Sequence, residues 1–148
     1  MRILYLIQTF KNLPQITRLV QTIRQSDPSG AVLISHNQEE FVLEASVFEG
    51  LSDVYVINVL SGSRLDFSLP GSYIAALDHA HKLGIDFDWV INMTSQCYPI
   101  RLLHEFICAL ECAQVDAFID YHRVFDDRGQ ATGIWPYEEA HNRYHYQY

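Results

Sequence analysis

Residues 89–100, WVINMTSQCYPI, begin as an apolar strand and end in Thr94, Ser95, Gln96 and Cys97, with Pro99 closing the stretch. An apolar run without alternation is what a strand covered on both faces requires. Three further runs of this kind precede it, RILYLI at 2–7, AVLIS at 31–35 and DVYVINVL at 53–60. The segments between them carry helical signals. Ile16, Leu19, Val20 and Ile23 fall at i, i+3, i+4 and i+7 and so share one face. Asn12 is placed to cap that helix, and Pro14 sits in its first turn, where a missing N–H costs nothing. Phe41, Val42, Ala45 and Phe48 predict a second helix up to Gly50, and the turn-rich SGSRLDFSLPGS predicts an irregular loop. Ser72 then caps a helix stopped by Gly84, and Pro99 opens another whose buried face is Leu103, Phe106, Ile107 and Leu110. DAFIDYHRV, at 116–124, reads as a fifth strand.

Strict strand–helix alternation predicts an α/β fold, a mostly parallel, Rossmann-like sheet with helices on both faces. The length, 148 residues, suits a single domain over 1–148. In open sheets of this kind ligands sit at the carboxyl ends of the strands. Those ends carry Gln8 and Thr9, then Ser35, His36 and Asn37, then Ser61, Gly62 and Ser63, and finally Thr94 to Cys97. All are small or polar, so the strand at 89–94 is read as delivering one wall of a cleft.

A net charge of −8 gives no general attraction to nucleic acid or to an anionic membrane, so an anionic ligand would have to be held locally. The odd number of cysteines, Cys97, Cys108 and Cys112, points to a reducing, cytoplasmic setting. Cys108 and Cys112, four apart on a predicted helix, read as core filler. No apolar run reaches the ~20 residues of a membrane span, and no secretory leader is expected.

GxGxxG and GxxxxGK[ST] are both absent, as is GxSxG. Asp86-Phe87-Asp88 matches the DxD by which many nucleotide-sugar transferases hold a divalent ion. It precedes the fourth strand, at the edge of the sheet away from the cleft, so it reads as two solvated carboxylates around an inward phenylalanine. His141 and His145, at i and i+4, read as part of a solvated aromatic tail. No metal ligand set is expected.

RILYLIQTFKNLPQITRLVQTI, AVLISHNQEEF and GSYIAALDHAHKLGIDFDWVINMTSQCYPIRLLHEFICAL together resemble the N-terminal half of the core-2/I-branching glycosyltransferases, which include β-1,6-N-acetylglucosaminyltransferases and peptide O-xylosyltransferases. In that family the corresponding strand is followed by roughly Leu-Ser-Gly-x-Asp-Tyr/Phe-Pro-Ile/Leu; here the residues are Met93 to Ile100, with Arg101 next. The resemblance implies half of a GT-A fold and a metal-independent, inverting transfer from a UDP-sugar to a glycan or protein acceptor. In that reading uridine lies across Gln8, Thr9, Ser35, His36 and Asn37, while Thr94, Ser95, Gln96, Cys97 and Tyr98 face the diphosphate or donor sugar. It puts the family's catalytic glutamate and leaving-group cations in a C-terminal half outside this sequence. No catalytic residue is therefore assigned, and the isolated chain is expected to be inactive.

Four positions depart from the family pattern. Cys97 replaces an acid, Asn37 an aspartate, Thr9 stands near a common histidine, and Ser68-Leu69-Pro70-Gly71 replaces a Trp-Gly-Gly-like loop. Two alternatives stay open. One is a non-catalytic binding or interaction module that keeps the fold, with Tyr137, Tyr144, Tyr146 and Tyr148 forming a homo-oligomer surface. The other is an unrelated small α/β protein.

Overall fold

The first apolar run forms β1, Ile3–Thr9, and every side chain from Ile3 to Ile7 is buried. A strand can be apolar on both faces only if both are covered, and β1 occupies such an interior position. The computed structural model describes residues 1–60, 68–120, 123–133 and 136–144. In it β1 pairs in parallel with β2, Ala31–Asn37, on one side and with β4, Trp89–Thr94, on the other. β3, Val54–Val59, pairs in parallel with the outer edge of β2. The sheet order is β3-β2-β1-β4, so the protein has the α/β, all-parallel architecture its alternating pattern predicts.

Helix α1, Leu13–Ser26, begins where expected, because the Asn12 side chain accepts a hydrogen bond from the Gln15 N–H. Its four periodic residues, Ile16, Leu19, Val20 and Ile23, are fully buried against Ile3, Tyr5 and Ile7 of β1 and Val32 and Ile34 of β2. Leu103, Ile107 and Leu110 of α3, Leu103–Glu111, join the same core. The alternate side chains, Leu4, Leu6 and Leu33, pack on the other face against Ala76 and Ala80 of α2, Ser68–Lys82, and against Ile85. Two helices thus cover one face and one the other. The chain runs outward from β1 to β2 and β3, then returns through α2 to β4 on the far side of β1. The reversal of strand order falls between β1 and β4, the place where open sheets form a crevice.

Several local expectations are corrected. Residues 41–50 form no α-helix; their regular element is one 3-10 turn, Ala45–Phe48. The Asn58 amide is the cause: it donates to the Leu43 carbonyl at 3.1 Å and accepts from the Leu43 N–H at 2.9 Å, so both backbone groups are taken from any helix. Helix α2 starts at Ser68 instead of Ser72, with Pro70 in its first turn, where proline is tolerated. Helix α3 starts at Leu103, four residues after Pro99, and Phe106 of its predicted buried face is 42% exposed. Cys108 and Cys112 are exposed and do not fill the core. Ser61, Gly62 and Ser63 lie outside the described residues, as do His145, Tyr146 and Tyr148.

Asp86 and Asp88 are exposed around a half-buried Phe87, and Asp88 accepts from the Arg2 N–H at 2.6 Å. That is the structural role expected of them, at the amino end of β4.

The chain divides into two compact units, Met1–Ala113 and Gln114–Tyr148. In the second, residues 116–120 and 123–124 form no strand, contrary to expectation, and Phe118 and Ile119 are 67% and 81% exposed. An apolar run becomes a strand only where a partner edge takes up its backbone groups. The pairing found here is a single antiparallel bridge between Phe125 and Ala131. Its turn is held by Asp126 Oδ1, which accepts from the N–H groups of Arg128 and Gln130 at 2.9 and 2.8 Å. Helix α4, Tyr137–Tyr144, follows, with the Tyr137 ring edge-on to Phe125. No helix among the described residues is long and apolar enough to cross a membrane.

Candidate functional site

Parallel register sets one polar row across three strands. Gln8 of β1 stands opposite both Ser35 of β2 and Thr94 of β4. The alternation that points Leu4, Leu6 and Leu33 toward α2 also points Gln8 and Ser35 to that face. The row therefore lies on the α2 side of the sheet, at the carboxyl ends of the strands. Ser72, released from capping by the earlier helix start, accepts a hydrogen bond from the Gln8 amide.

A cavity of about 430 Å³ opens over this row. Seven of the ten residues predicted for the site line it: Gln8, Thr9, Ser35, Asn37, Thr94, Ser95 and Gln96. Phe10, Val59 and Ser72 complete the lining and were not anticipated. Phe10 directly follows the Gln8-Thr9 pair, which was signal enough to include it. Val59 is placed by its register opposite Asn37, and Ser72 by the position of α2, and neither is visible before the strands are paired.

The floor is unusual in one respect. Ser35 is 3% exposed, and its hydroxyl makes no hydrogen bond among the described residues. Burying a hydroxyl without a partner costs about 1–3 kcal/mol on protein scales. The loop after β4 is tightly built by contrast. Cys97 N–H donates to the Thr94 carbonyl at 3.0 Å, closing a turn, and Ser95 N–H donates to the Gln8 carbonyl at 3.0 Å, which ties the turn to β1.

Three predicted residues are not among those lining the cavity. His36 is completely buried on the opposite face, where Nδ1 lies 2.7 Å from Thr9 Oγ1 and Nε2 lies 2.9 Å from the Phe41 carbonyl. A carbonyl only accepts, so Nε2 carries the proton and Nδ1 accepts from the Thr9 hydroxyl. Cys97 Sγ turns back on its own loop, 3.4 Å from the Thr94 nitrogen and 3.5 Å from Thr94 Oγ1. Tyr98 reaches the α1 side, with its hydroxyl 2.8 Å from Thr22 Oγ1 and the Arg18 guanidinium over its ring.

Burial holds the His36 pKa below its ordinary 6.5, against the opposing pull of the Phe41 carbonyl and Glu40. A folded-state pKa below the unfolded one means that the unfolded chain binds the proton more readily. The stability His36 contributes is thus fully present above pH 6.5 and is lost as pH falls through its folded-state pKa. Thermal unfolding followed downward from neutral pH should show this loss, and His36→Gln should show a shallower decline. An unchanged pH profile in the variant would assign the decline to other groups. Burial also raises the Tyr73 hydroxyl pKa, with Cys97 adding to the effect.

Among the described residues, the ten side chains that line the cavity include no ionisable group. The cavity offers amides and hydroxyls, between an aromatic ring and the Val59 methyls. That equipment recognises an uncharged polar group by hydrogen bonding and stacking. Among the described residues no group of three or more His, Cys, Asp or Glu side chains converges to hold a metal ion.

No protein-family model matches the chain, and no curated protein is significantly similar to it in sequence.

Proposed function

We propose that the first unit binds a nucleotide-sugar at the carboxyl ends of β1, β2 and β4, as the UDP-sugar-binding half of a divergent, metal-independent, inverting glycosyltransferase. The observation that carries this reading is the buried Ser35 hydroxyl, without a partner among the described residues, in the floor of a polar cavity at the strand-order reversal. A site that leaves a donor and acceptor unused in the free protein is supported as one that a ligand completes. Gln96 supplies an amide with both a donor and an acceptor, the pattern that the imide edge of uracil needs, and Asn37, whose Oδ1 accepts from the Glu39 N–H at 3.1 Å, adds a second amide. Phe10 supplies a ring on which a base stacks.

The uncharged lining also favours the second reading, a binding module that performs no chemistry, because none of these side chains is a general base or a cation for a leaving diphosphate. The second reading keeps the fold as a binding or interaction module without turnover, and it does not require a nucleotide. Three free cysteines suit a reducing, cytoplasmic location.

Calorimetry with UDP and ADP, without added metal, tests the first reading. UDP should bind and ADP should not, and Asn37→Ala and Gln96→Ala should each weaken UDP by about tenfold, the loss of one hydrogen-bonded amide. Equal binding of the two nucleotides, or no heat with either from the folded chain, sinks the nucleotide reading.

A further inference from the structure

We propose that Ser35 selects the ligand by its sugar: its hydroxyl pairs with a ribose hydroxyl of the nucleotide, so that the cavity takes ribonucleotides in preference to their deoxy analogues. The proposal rests on the nucleotide reading above. Ser35 is 3% exposed, lines the cavity and has no hydrogen-bond partner for its hydroxyl among the described residues. Its neighbours explain why. Parallel register sets Gln8 on one side, whose amide donates to Ser72 Oγ, and Ile57 on the other, which has no polar side chain to offer. Two residues further along the same face, Asn37 Oδ1 accepts from the Glu39 N–H at 3.1 Å.

The chemistry of a hydroxyl decides what completes it. A serine hydroxyl both donates and accepts, and here both capacities are idle. The imide edge of uracil offers an N–H that only donates and carbonyls that only accept, a pattern met better by an amide such as Gln96. An ionised phosphate oxygen only accepts, and it brings negative charge into a lining whose described side chains are all uncharged. A second hydroxyl gives and takes at a single atom, so it satisfies Ser35 in both senses. In UDP the hydroxyls of the nucleoside are those of the ribose. A ligand without the matching hydroxyl leaves Ser35 as it stands in the free protein and gains nothing from it, which makes the discrimination a property of one side chain.

The test is calorimetry of the full chain with UDP, 2′-deoxy-UDP and 3′-deoxy-UDP, on wild type and on Ser35→Ala. In wild type at least one deoxy analogue should bind about tenfold more weakly than UDP, the worth of one hydrogen bond. In Ser35→Ala that preference should shrink to about twofold or less, because UDP weakens while the analogue keeps its wild-type affinity. Circular dichroism confirms the fold of the variant, and the wild-type comparison stands without it. Equal binding of UDP and both analogues by wild type overturns the proposal and leaves the nucleotide reading in place. So does a preference that persists in Ser35→Ala, which would assign the ribose to another side chain. No binding of any of the three removes the nucleotide reading and the proposal together.

Discussion

Replacing Asp27 with alanine is expected to lower the unfolding free energy by about 3–5 kcal/mol, because it removes a buried acceptor and strands its donors. Asp27 follows α1 and is 3% exposed. Its Oδ2 accepts from the Tyr5 hydroxyl at 2.9 Å. Its Oδ1 accepts from Ser29 Oγ at 2.7 Å, from the Gly30 N–H at 3.0 Å and from the Ser29 N–H at 3.2 Å. Burial, reinforced by this carboxylate, holds the Tyr5 hydroxyl well above its ordinary pKa, so Tyr5 stays a donor.

The adjacent Arg24 is also buried, and its guanidinium donates to the carbonyls of Asp27, Pro28 and Gly30 and to Ser52 Oγ. The cluster thus joins β1, the end of α1 and the approach to β3, at the opposite end of the sheet from the cavity. It also explains Gly30. A Cβ there would stand 2.5 Å from Asp27 Oδ2 and 2.8 Å from Tyr5 Cε2. Urea unfolding of Asp27→Ala and Tyr5→Phe measures the effect. The second variant should lose about 1–2 kcal/mol, because one hydrogen bond goes while the other donors remain satisfied. An Asp27→Ala loss below about 1 kcal/mol, the scale of a single ordinary hydrogen bond, would show that the cluster does not hold the sheet together.

Ser35→Ala is expected to act in opposite directions on stability and on binding. In the free protein it removes a hydroxyl that is buried without a partner among the described residues, so unfolding free energy should rise by about 1 kcal/mol. In the proposed UDP complex the same hydroxyl would gain a partner, so UDP affinity should fall by about tenfold, or 1.4 kcal/mol. Most substitutions in a buried strand destabilise, which makes a gain here diagnostic. Denaturant unfolding and calorimetry on the same protein preparation check both signs. A variant less stable than wild type would mean that the hydroxyl is satisfied in solution. A more stable variant with unchanged UDP affinity would mean that Ser35 faces no ligand.

Much of the fold was legible because its signals are local. The continuous apolar runs at 2–7 and 31–35 match β1 and β2 in both position and burial. The i, i+3, i+4, i+7 pattern of α1 matches its buried apolar residues one for one, with Arg24 buried beside them. Where prediction failed, a distant group had intervened. Residues 41–50 have a helical pattern, but the Asn58 amide ties Leu43 to a strand fifteen residues later. Cys108 and Cys112 have the composition of core residues, but α3 turns Leu103, Ile107 and Leu110 to the sheet and leaves the cysteines outside.

The candidate site divides in the same way. That the strands end in small polar residues, and that a parallel sheet gathers those ends, follow from the amino-acid order alone. Period-two alternation even separates Gln8 from Thr9 and Ser35 from His36. It does not say which set meets the cavity, since that depends on which helix covers which face. Only tertiary packing sent Gln8, Ser35 and Thr94 to the α2 side, buried His36 on the other and turned Tyr98 toward α1. Chain periodicity is a property of neighbours, whereas burial and exposure belong to the surfaces that a folded chain happens to bring against them.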